Sequence, residues 1–370
     1  MLVVDGNEVY ELDADCMRQS RWAMPKPSEK KQITGLEPET GVRPPNQLTG
    51  EGICVALLDS GVYPHPDFKD RIAVFVDMTS KRQTPYDPNG HGTHVAGILA
   101  GNGAMSRGQI RGIAPGVTLA VIKVLDEKGN GKLSHMLRGI QWILDHRKQY
   151  GIRIVNISAG ASVKKKKFSP RLETDRRETW RAAALNFPRG KSAQEIREEG
   201  LLMEGVNRLW DAGLVVCIAA GNEGGGMSTV TTPGINRRAI TVGSYDDEHM
   251  WDGQGRHFRN YSGRGPTESC ICKPEIVAPG TNIIAANAMR SPQDKPYAIK
   301  SGTSMSTPIV SGAIALLLEA HPDMANWEVK LRLRQRAQDL GMEANHQGWG
   351  ALNVEALLAE QWNAGMVLRK

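Results

Sequence analysis

Apolar runs and amphipathic segments alternate along most of this chain, and the alternation restricts the fold to one main class. Short aliphatic runs of the kind that form buried strands recur at 52–61, 117–126, 152–160, 214–224, 237–246 and 273–280. Segments with apolar residues at helical spacing stand between or after them, at 134–151, 201–213, 303–322 and 324–338. We therefore predict an α/β fold of three layers, with a mostly parallel central sheet covered by helices on both faces.

The length of 370 residues suits one large domain with an extension. Residues 1–45 contain Pro/Lys-rich and turn-rich stretches, and we interpret them as an N-terminal extension, either a surface arm or a short propeptide. The predicted domain covers 46–360 and is followed by a tail at 361–370. A basic segment at 163–199, which includes Lys164–Lys167, is interpreted as an insertion, either a solvated loop or an element that contacts substrate.

Composition restricts the expected partners and cellular location of the protein but does not define its activity. The formal net charge is +6 and the pI is about 9.0, which we interpret as a solvated basic surface because no zinc-finger spacing or RNA-binding aromatic motif accompanies it. No secretory signal pattern and no apolar run of membrane-spanning length is seen. The five cysteines are an odd number. We expect reduced thiols, a cytoplasmic location, and neither nucleic acid nor membrane as a partner.

Three short segments carry the chemistry-bearing residues. Asp59 lies in VALLDSGV, His91 in NGHGTHVAG and Ser304 in SGTSMSTP, so the order along the chain is Asp, His, Ser. In these contexts the chain resembles the subtilase family of serine endopeptidases, and within it the bacterial intracellular alkaline serine protease branch. The resemblance extends from about residue 46 to about residue 356 and implies the three-layer subtilisin-like fold.

The resemblance implies a role for each of these side chains. Ser304 would be the nucleophile, His91 the general base and then acid, and Asp59 the carboxylate that orients the imidazole. Asn222, in AAGNEG, would donate its side-chain amide to the oxyanion of the tetrahedral intermediate, with the Ser304 backbone N–H as a second donor. His94, in the same motif as His91, is interpreted as a packed structural residue.

The same resemblance implies a cleft for an extended peptide. One wall would be formed by Ser158, Ala159 and Gly160, and the other by Ala219, Ala220 and Gly221. Thr231, in the segment TVTTPG, would lie at the base of the first specificity pocket. Small wall residues favour an uncharged apolar substrate side chain there. The expected partners are protein or peptide substrates, and the sequence does not indicate the oligomeric state.

Asp67, in HPDF, matches a carboxylate that serves a calcium site in the family. Calcium needs six to eight oxygen ligands, and the nearby loop carries Ser106 and two arginines where further oxygen ligands are expected. We therefore expect no cofactor for the chemistry and keep calcium as an open structural alternative.

Two other functions have less support from the sequence. A catalytically silent binding or regulatory protein of the same fold predicts damage at one of the four catalytic positions, and each position holds the expected residue. An esterase of the α/β-hydrolase type would need the G-x-S-x-G motif and the order Ser, acid, His.

Overall fold

A computed structural model describes residues 1–20, 48–158, 193–248, 250–251, 257–258 and 260–359. The strands are β1 (Leu2–Asp5), β2 (Glu8–Glu11), β3 (Cys54–Asp59), β4 (Ile72–Asp77), β5 (Thr118–Lys123), β6 (Ile152–Ile157), β7 (Val215–Ala219), β8 (Ile240–Ser244), β9 (Met250–Trp251), β10 (His257–Phe258), β11 (Ile276–Ala278), β12 (Ile283–Ala286) and β13 (Tyr297–Lys300). The helices are α1 (Ala14–Ser20), α2 (His91–Ala100), α3 (Leu133–His146), α4 (Ala193–Asp211), α5 (Thr303–Ala320), α6 (Asn326–Arg336), α7 (Ala344–Gln347) and α8 (Val354–Leu358).

Seven parallel strands form the central sheet, in the order β11-β8-β7-β6-β3-β5-β4. Successive side chains of β3 point to opposite faces of the sheet, because side chains alternate along a strand. Val55 and Leu57 pack in a core with α2, α5 and α6, while Ala56 and Leu58 pack in a second core with α3 and α4. The predicted three-layer α/β architecture is thus confirmed.

Helix α5 is the central element of the first core. By length and composition it could cross a membrane, yet 78% of its residues are buried inside the protein. It contacts α2 on one side and β6, β7, β8 and β11 beneath it. Its apolar composition is therefore that of a helix surrounded by protein, and the site residue Ser304 lies in its first turn.

The described part of the N-terminal extension is a structured arm. The hairpin β1–β2 and the helix α1 pack against the domain, where Glu8 forms ion pairs with Arg237 (2.8 Å) and Arg238 (2.5 Å). Cys16 and Cys270 are joined as a disulfide. The expectation of reduced thiols is wrong for this pair, because the arm brings together two cysteines 254 positions apart, a juxtaposition that spacing in the sequence does not reveal.

Two features differ from the predicted element pattern. The strand β4 and the hairpin β12–β13 are absent from the predicted pattern, although β4 (IAVFVD) and β12 (IIAA) contain apolar runs; most of their residues are half-buried or exposed. Helix α4 begins at Ala193, so the last residues of the predicted insertion at 163–199 belong to a core helix. The earlier part of that insertion and the tail at 361–370 lie outside the described residues.

Candidate active site

Three neighbouring strands deliver polar side chains to one edge of the sheet. Asp59 is the last residue of β3, Ser158 directly follows β6, and Asn222 follows β7 after a two-residue turn. Because β7, β6 and β3 are adjacent and parallel, their carboxyl ends meet at this edge. Helix α5 begins beside the ends of β6 and β7, where the Ser304 hydroxyl bonds to the Ser158 carbonyl and the Thr303 N–H bonds to Asn222.

Asp59 and His91 form the first contact of the site. The Nδ1 atom of His91 lies 2.7 Å from Oδ1 of Asp59, whose side chain is fully buried. The same carboxylate oxygen accepts the backbone N–H of Ser60 at 2.7 Å, which fixes its orientation. His91 keeps about a quarter of its side chain exposed, so the imidazole faces solvent on its other edge. This arrangement assigns the proton to Nδ1 and leaves Nε2 as a base.

The start of α2 is held in place by a buried carboxylate. Asp87 accepts hydrogen bonds from the backbone N–H groups of Gly90 (2.8 Å) and Thr93 (2.8 Å) and from the hydroxyl groups of Thr93 (2.6 Å) and Ser60 (2.8 Å). These bonds satisfy amide groups at the helix start that have no partner within the helix. The first turn of α2, and with it His91, is thereby tied to the turn that follows Asp59.

Glycine is required one residue after His91. A Cβ atom on Gly92 would lie 2.1 Å from the backbone oxygen of Gly61 and 3.1 Å from Oδ1 of Asp59. Any larger residue would push the helix away from the strand end and lengthen the contact between Asp59 and His91.

Ser304 is linked to β6 by a short ladder of hydrogen bonds. Its hydroxyl donates to the backbone oxygen of Ser158 at 2.7 Å, and the Ser158 hydroxyl donates to the Ser304 carbonyl at 3.2 Å. Asn156 donates to the Ser158 hydroxyl at 2.8 Å and accepts from Ser311 at 2.9 Å. The predicted wall residue Ser158 therefore holds Ser304 directly, through both its backbone and its side chain.

The side chain of Asn222 is oriented by Thr303, the residue before Ser304. Its Oδ1 accepts the backbone N–H of Thr303 at 3.0 Å and the Thr303 hydroxyl at 3.1 Å. Since those groups donate, the amide nitrogen Nδ2 must point the other way. It lies next to Gly302, where a Cβ atom would be 2.9 Å from Nδ2 and where φ is +140°. Asn222 is exposed, so its amide N–H groups are accessible from solvent.

The remaining predicted cleft residues follow the same edge. Ala219 and Ala220 are buried, and Gly221, with φ at +96°, leaves the strand toward the cleft. Thr231 packs directly on this wall, because a Cβ atom on Gly221 would be 2.4 Å from its Oγ1. The structure thus brings Thr231 to the predicted pocket wall. Two of the predicted residues, Ala159 and Gly160, lie outside the described residues.

His94 lies one turn after His91 and is enclosed by protein. Its Nε2 contacts the backbone oxygens of Ile283 (3.1 Å) and Ala298 (3.0 Å) in the hairpin β12–β13. Burial, followed by the charge of Lys300, lowers the pKa of His94 to about 3. His94 is therefore neutral at working pH and donates from Nε2, which ties α2 to the hairpin and agrees with its interpretation as structural.

The contacts of Asp67 do not fit the calcium site that the resemblance implies. Its Oδ1 accepts the backbone N–H of Met105 at 3.0 Å and its Oδ2 accepts the Tyr297 hydroxyl at 2.9 Å, so donors occupy both oxygens. The Arg71 guanidinium donates to the backbone oxygens of Asp67 (2.6 Å) and Ala100 (2.6 Å). Among the described residues, no group of three or more His, Cys, Asp or Glu side chains could hold a metal ion.

Arg71 therefore supplies a built-in cation to carbonyl groups near Asp67. We expect a chelator to leave the thermal midpoint unchanged, whereas Arg71→Met should lower the free energy of unfolding by about 3 kcal/mol, since it removes the hydrogen bonds to the carbonyls of the buried residues Ala100 and Val117. Differential scanning calorimetry of the full chain, with and without chelator, measures both. Arg82→Met, at an exposed arginine, is the matched control. A large chelator-induced drop in the midpoint would contradict this expectation.

Two supporting residues were not found from the sequence. The sequence gives only a weak indication that Asp87 supports the helix start, because an acidic residue stands four positions before the helix that begins at His91. Thr303 had none, because its role depends on the fold bringing it to Asn222, which is 81 positions away.

Comparisons with known proteins agree with this geometry. Residues 50–350 match the Subtilase family of peptidases. The serine protease AprX of Bacillus subtilis is 37% identical over 327 residues, covering 85% of this chain and 68% of that protein. Subtilisin Savinase of Lederbergia lenta is 31% identical over 311 residues, covering 84% of this chain and 91% of that protein. The structure of sphericase superposes with a TM-score of 0.61 at 27% identity, covering 82% of this chain and 92% of that chain.

Proposed function

The chain belongs to the subtilase family and is a serine endopeptidase of the subtilisin type, and from this premise we propose that Asp59, His91 and Ser304 are its catalytic triad. The observation that carries the proposal is the 2.7 Å contact between His91 Nδ1 and the buried Asp59 carboxylate, in a site where α5 presents Ser304. The alternative of a silent binding protein of the same fold has less support, because the sequence keeps Asp, His, Asn and Ser at the four positions that the family resemblance implies.

Peptide hydrolysis then proceeds in two halves. His91 Nε2 accepts the proton of the Ser304 hydroxyl as Oγ attacks the substrate carbonyl carbon, and Asp59 stabilises the imidazolium that forms. The carbon–nitrogen bond breaks as His91 returns the proton to the leaving amine. Water then attacks the acyl-enzyme with His91 again as base, and Ser304 regains its proton as the acid product leaves.

Before attack, the Ser304 hydroxyl must change its partner. In the structure it donates to the Ser158 carbonyl at 2.7 Å. A rotation about the Ser304 Cα–Cβ bond would redirect it to His91, and hydrogen bonds of catalytic groups commonly rearrange when substrate binds. The Ser158 carbonyl would then be free to pair with the main chain of an extended substrate.

The developing oxyanion is stabilised by two preorganised donors. The Ser304 backbone N–H lies in the first turn of α5, where amide groups have no partner within the helix and the helix dipole favours negative charge. The Asn222 amide is held with Nδ2 toward the cleft by the two bonds from Thr303 to Oδ1. Fixed donors need no reorganisation as the charge appears, which lowers the barrier.

Covalent trapping tests the assignment of the nucleophile. A fluorophosphonate phosphonylates a serine, with release of fluoride, only when a neighbouring base activates it, so we expect a single adduct on the peptide that contains Ser304. Mass spectrometry locates the adduct, and the loss of peptide hydrolysis should follow the labelled fraction one to one. His91→Ala, which lacks the base, is the control and should remain unlabelled. An adduct on a different serine, or continued hydrolysis by fully labelled protein, would reject the assignment.

A further inference from the structure

A lysine that the proposed mechanism does not use stands beside the segment carrying the general base. Lys300 is the last residue of β13, four positions before Ser304. Its ammonium donates to the backbone oxygen of Gly90 at 3.0 Å, and Gly90 directly precedes His91. Lys300 thus connects the strand that leads to the nucleophile with the turn that presents the base.

The position of this ammonium relative to the scissile bond follows from the sheet order. Asn222 and Ser158 follow β7 and β6, and they define the side where the oxyanion and the acyl part of the substrate are held. His91 stands on the other side, beside Asp59 at the end of β3, and must reach the leaving amine to protonate it. The residues that follow the scissile bond therefore pass over His91, toward Gly90 and Lys300.

The side chain of Lys300 points toward this region. Along β13, Ile299 is 63% exposed and faces away from the domain, so its neighbour Lys300 faces α2. An ammonium has three N–H donors, and one of them is directed to Gly90. Donors therefore remain for a ligand in the cleft.

The acidic groups near Lys300 are already engaged. The Asp87 oxygens accept bonds from Ser60, Gly90 and Thr93, and Asp59 is paired with His91. The neighbouring surface adds a second cation, Arg290, which donates to the backbone oxygen of Pro88 at 2.6 Å.

One further carboxylate, Asp294, belongs to the same turn as Arg290. It accepts the backbone N–H groups of Arg290 (2.7 Å) and Ser291 (2.8 Å). Asp294 is thus engaged within its own turn.

We propose that Lys300 is a specificity-determining residue that favours substrates with Asp or Glu in the first two positions after the scissile bond. The inference rests on the proposed function and adds a substrate preference to it. An acidic side chain there would meet an ammonium that is half-buried and already held in place, so little side-chain entropy is lost on pairing. Because the site is open to solvent, the expected preference is about fivefold in kcat/KM and should weaken as salt is added.

Internally quenched peptides test this preference with the full chain. The set keeps one sequence and varies only the two positions after the scissile bond, as Asp, Asn or Lys. With the wild type we expect kcat/KM to be highest for the Asp peptide, lower for the Asn peptide and lowest for the Lys peptide. Lys300→Met should make the three peptides equal, and Lys300→Glu should reverse the order. A peptide nitroanilide, which has no residue after the scissile bond, gives the reference rate for each variant.

The readout is a ratio between substrates, which a purely structural role of Lys300 would not change. Equal rates for the three peptides with the wild type would overturn the inference while leaving the proposed function intact. A preference that survives Lys300→Met but disappears in the matched variant Arg290→Met would assign the selectivity to Arg290 and also overturn it. Absence of hydrolysis of every peptide and of the nitroanilide would overturn the proposed function itself.

Discussion

Ser304→Ala is expected to lower kcat for peptide hydrolysis by about a million-fold, because the variant lacks the proposed attacking hydroxyl. A neighbouring serine, Ser306, is buried in α5 and donates to the backbone oxygen of Ala278 at 3.2 Å. The double variant Ser304→Ala/His91→Ala should be no slower than either single variant, since nucleophile and base act as one unit. Steady-state hydrolysis of a peptide nitroanilide measures all three.

A matched serine in the same helix provides the control. Ser306→Ala removes a hydroxyl two residues from the nucleophile and should retain activity. The thermal midpoint of Ser304→Ala should fall by only about 2–4 °C, because the variant loses one hydrogen bond, the one to the Ser158 carbonyl. Activity in Ser304→Ala that persists after active-site titration has excluded contaminating protease would refute the proposed nucleophile.

Asn222→Ala is expected to lower kcat by about 100- to 1,000-fold with little change in KM, the scale seen in subtilisins when this amide is lost. The amide stabilises the oxyanion, which exists only in the transition state and the intermediate, so ground-state binding is hardly affected. Hydrolysis of the same nitroanilide over a range of substrate concentrations separates kcat from KM.

Asn222 also has a structural contact, and a second variant separates the two roles. Its Oδ1 accepts two bonds from Thr303, so truncation could act by loosening the start of α5. Asn222→Asp keeps the acceptor and removes the donor. If the amide N–H donor stabilises the oxyanion, the Asn222→Asp variant will be at least as slow as Asn222→Ala. Recovery of activity in Asn222→Asp would mean that Asn222 acts through Thr303, and it would contradict the oxyanion role.

Most strands of the central sheet could be predicted because they are buried on both faces. The run containing Asp59 is continuously apolar, and such runs alternate with helices whose period is visible without knowing their partners. By contrast, β4 is an edge strand whose residues are half-buried or exposed, and β13 is short and lies outside the central sheet.

Within the site, a residue could be predicted from the sequence only when a short motif around it indicates its role. Asp59, His91, Asn222 and Ser304 stand in short motifs, and the sheet topology then brings them to one edge. The contacts of Asp67 could not be foreseen, because Tyr297 reaches it from 230 positions away.

The place of Ser304 in α5 has a consequence for the cell that makes this protein. A ribosome extends the chain from its amino terminus, so Asp59, His91 and Asn222 are all synthesised before the nucleophile. The helix that carries Ser304 is also the central helix of the first core, between α2 and the sheet. A partly made chain therefore lacks both the reactive hydroxyl and the packing that would hold the base in place. On the proposed assignment, we therefore expect proteolytic activity only after α5 has been synthesised and packed.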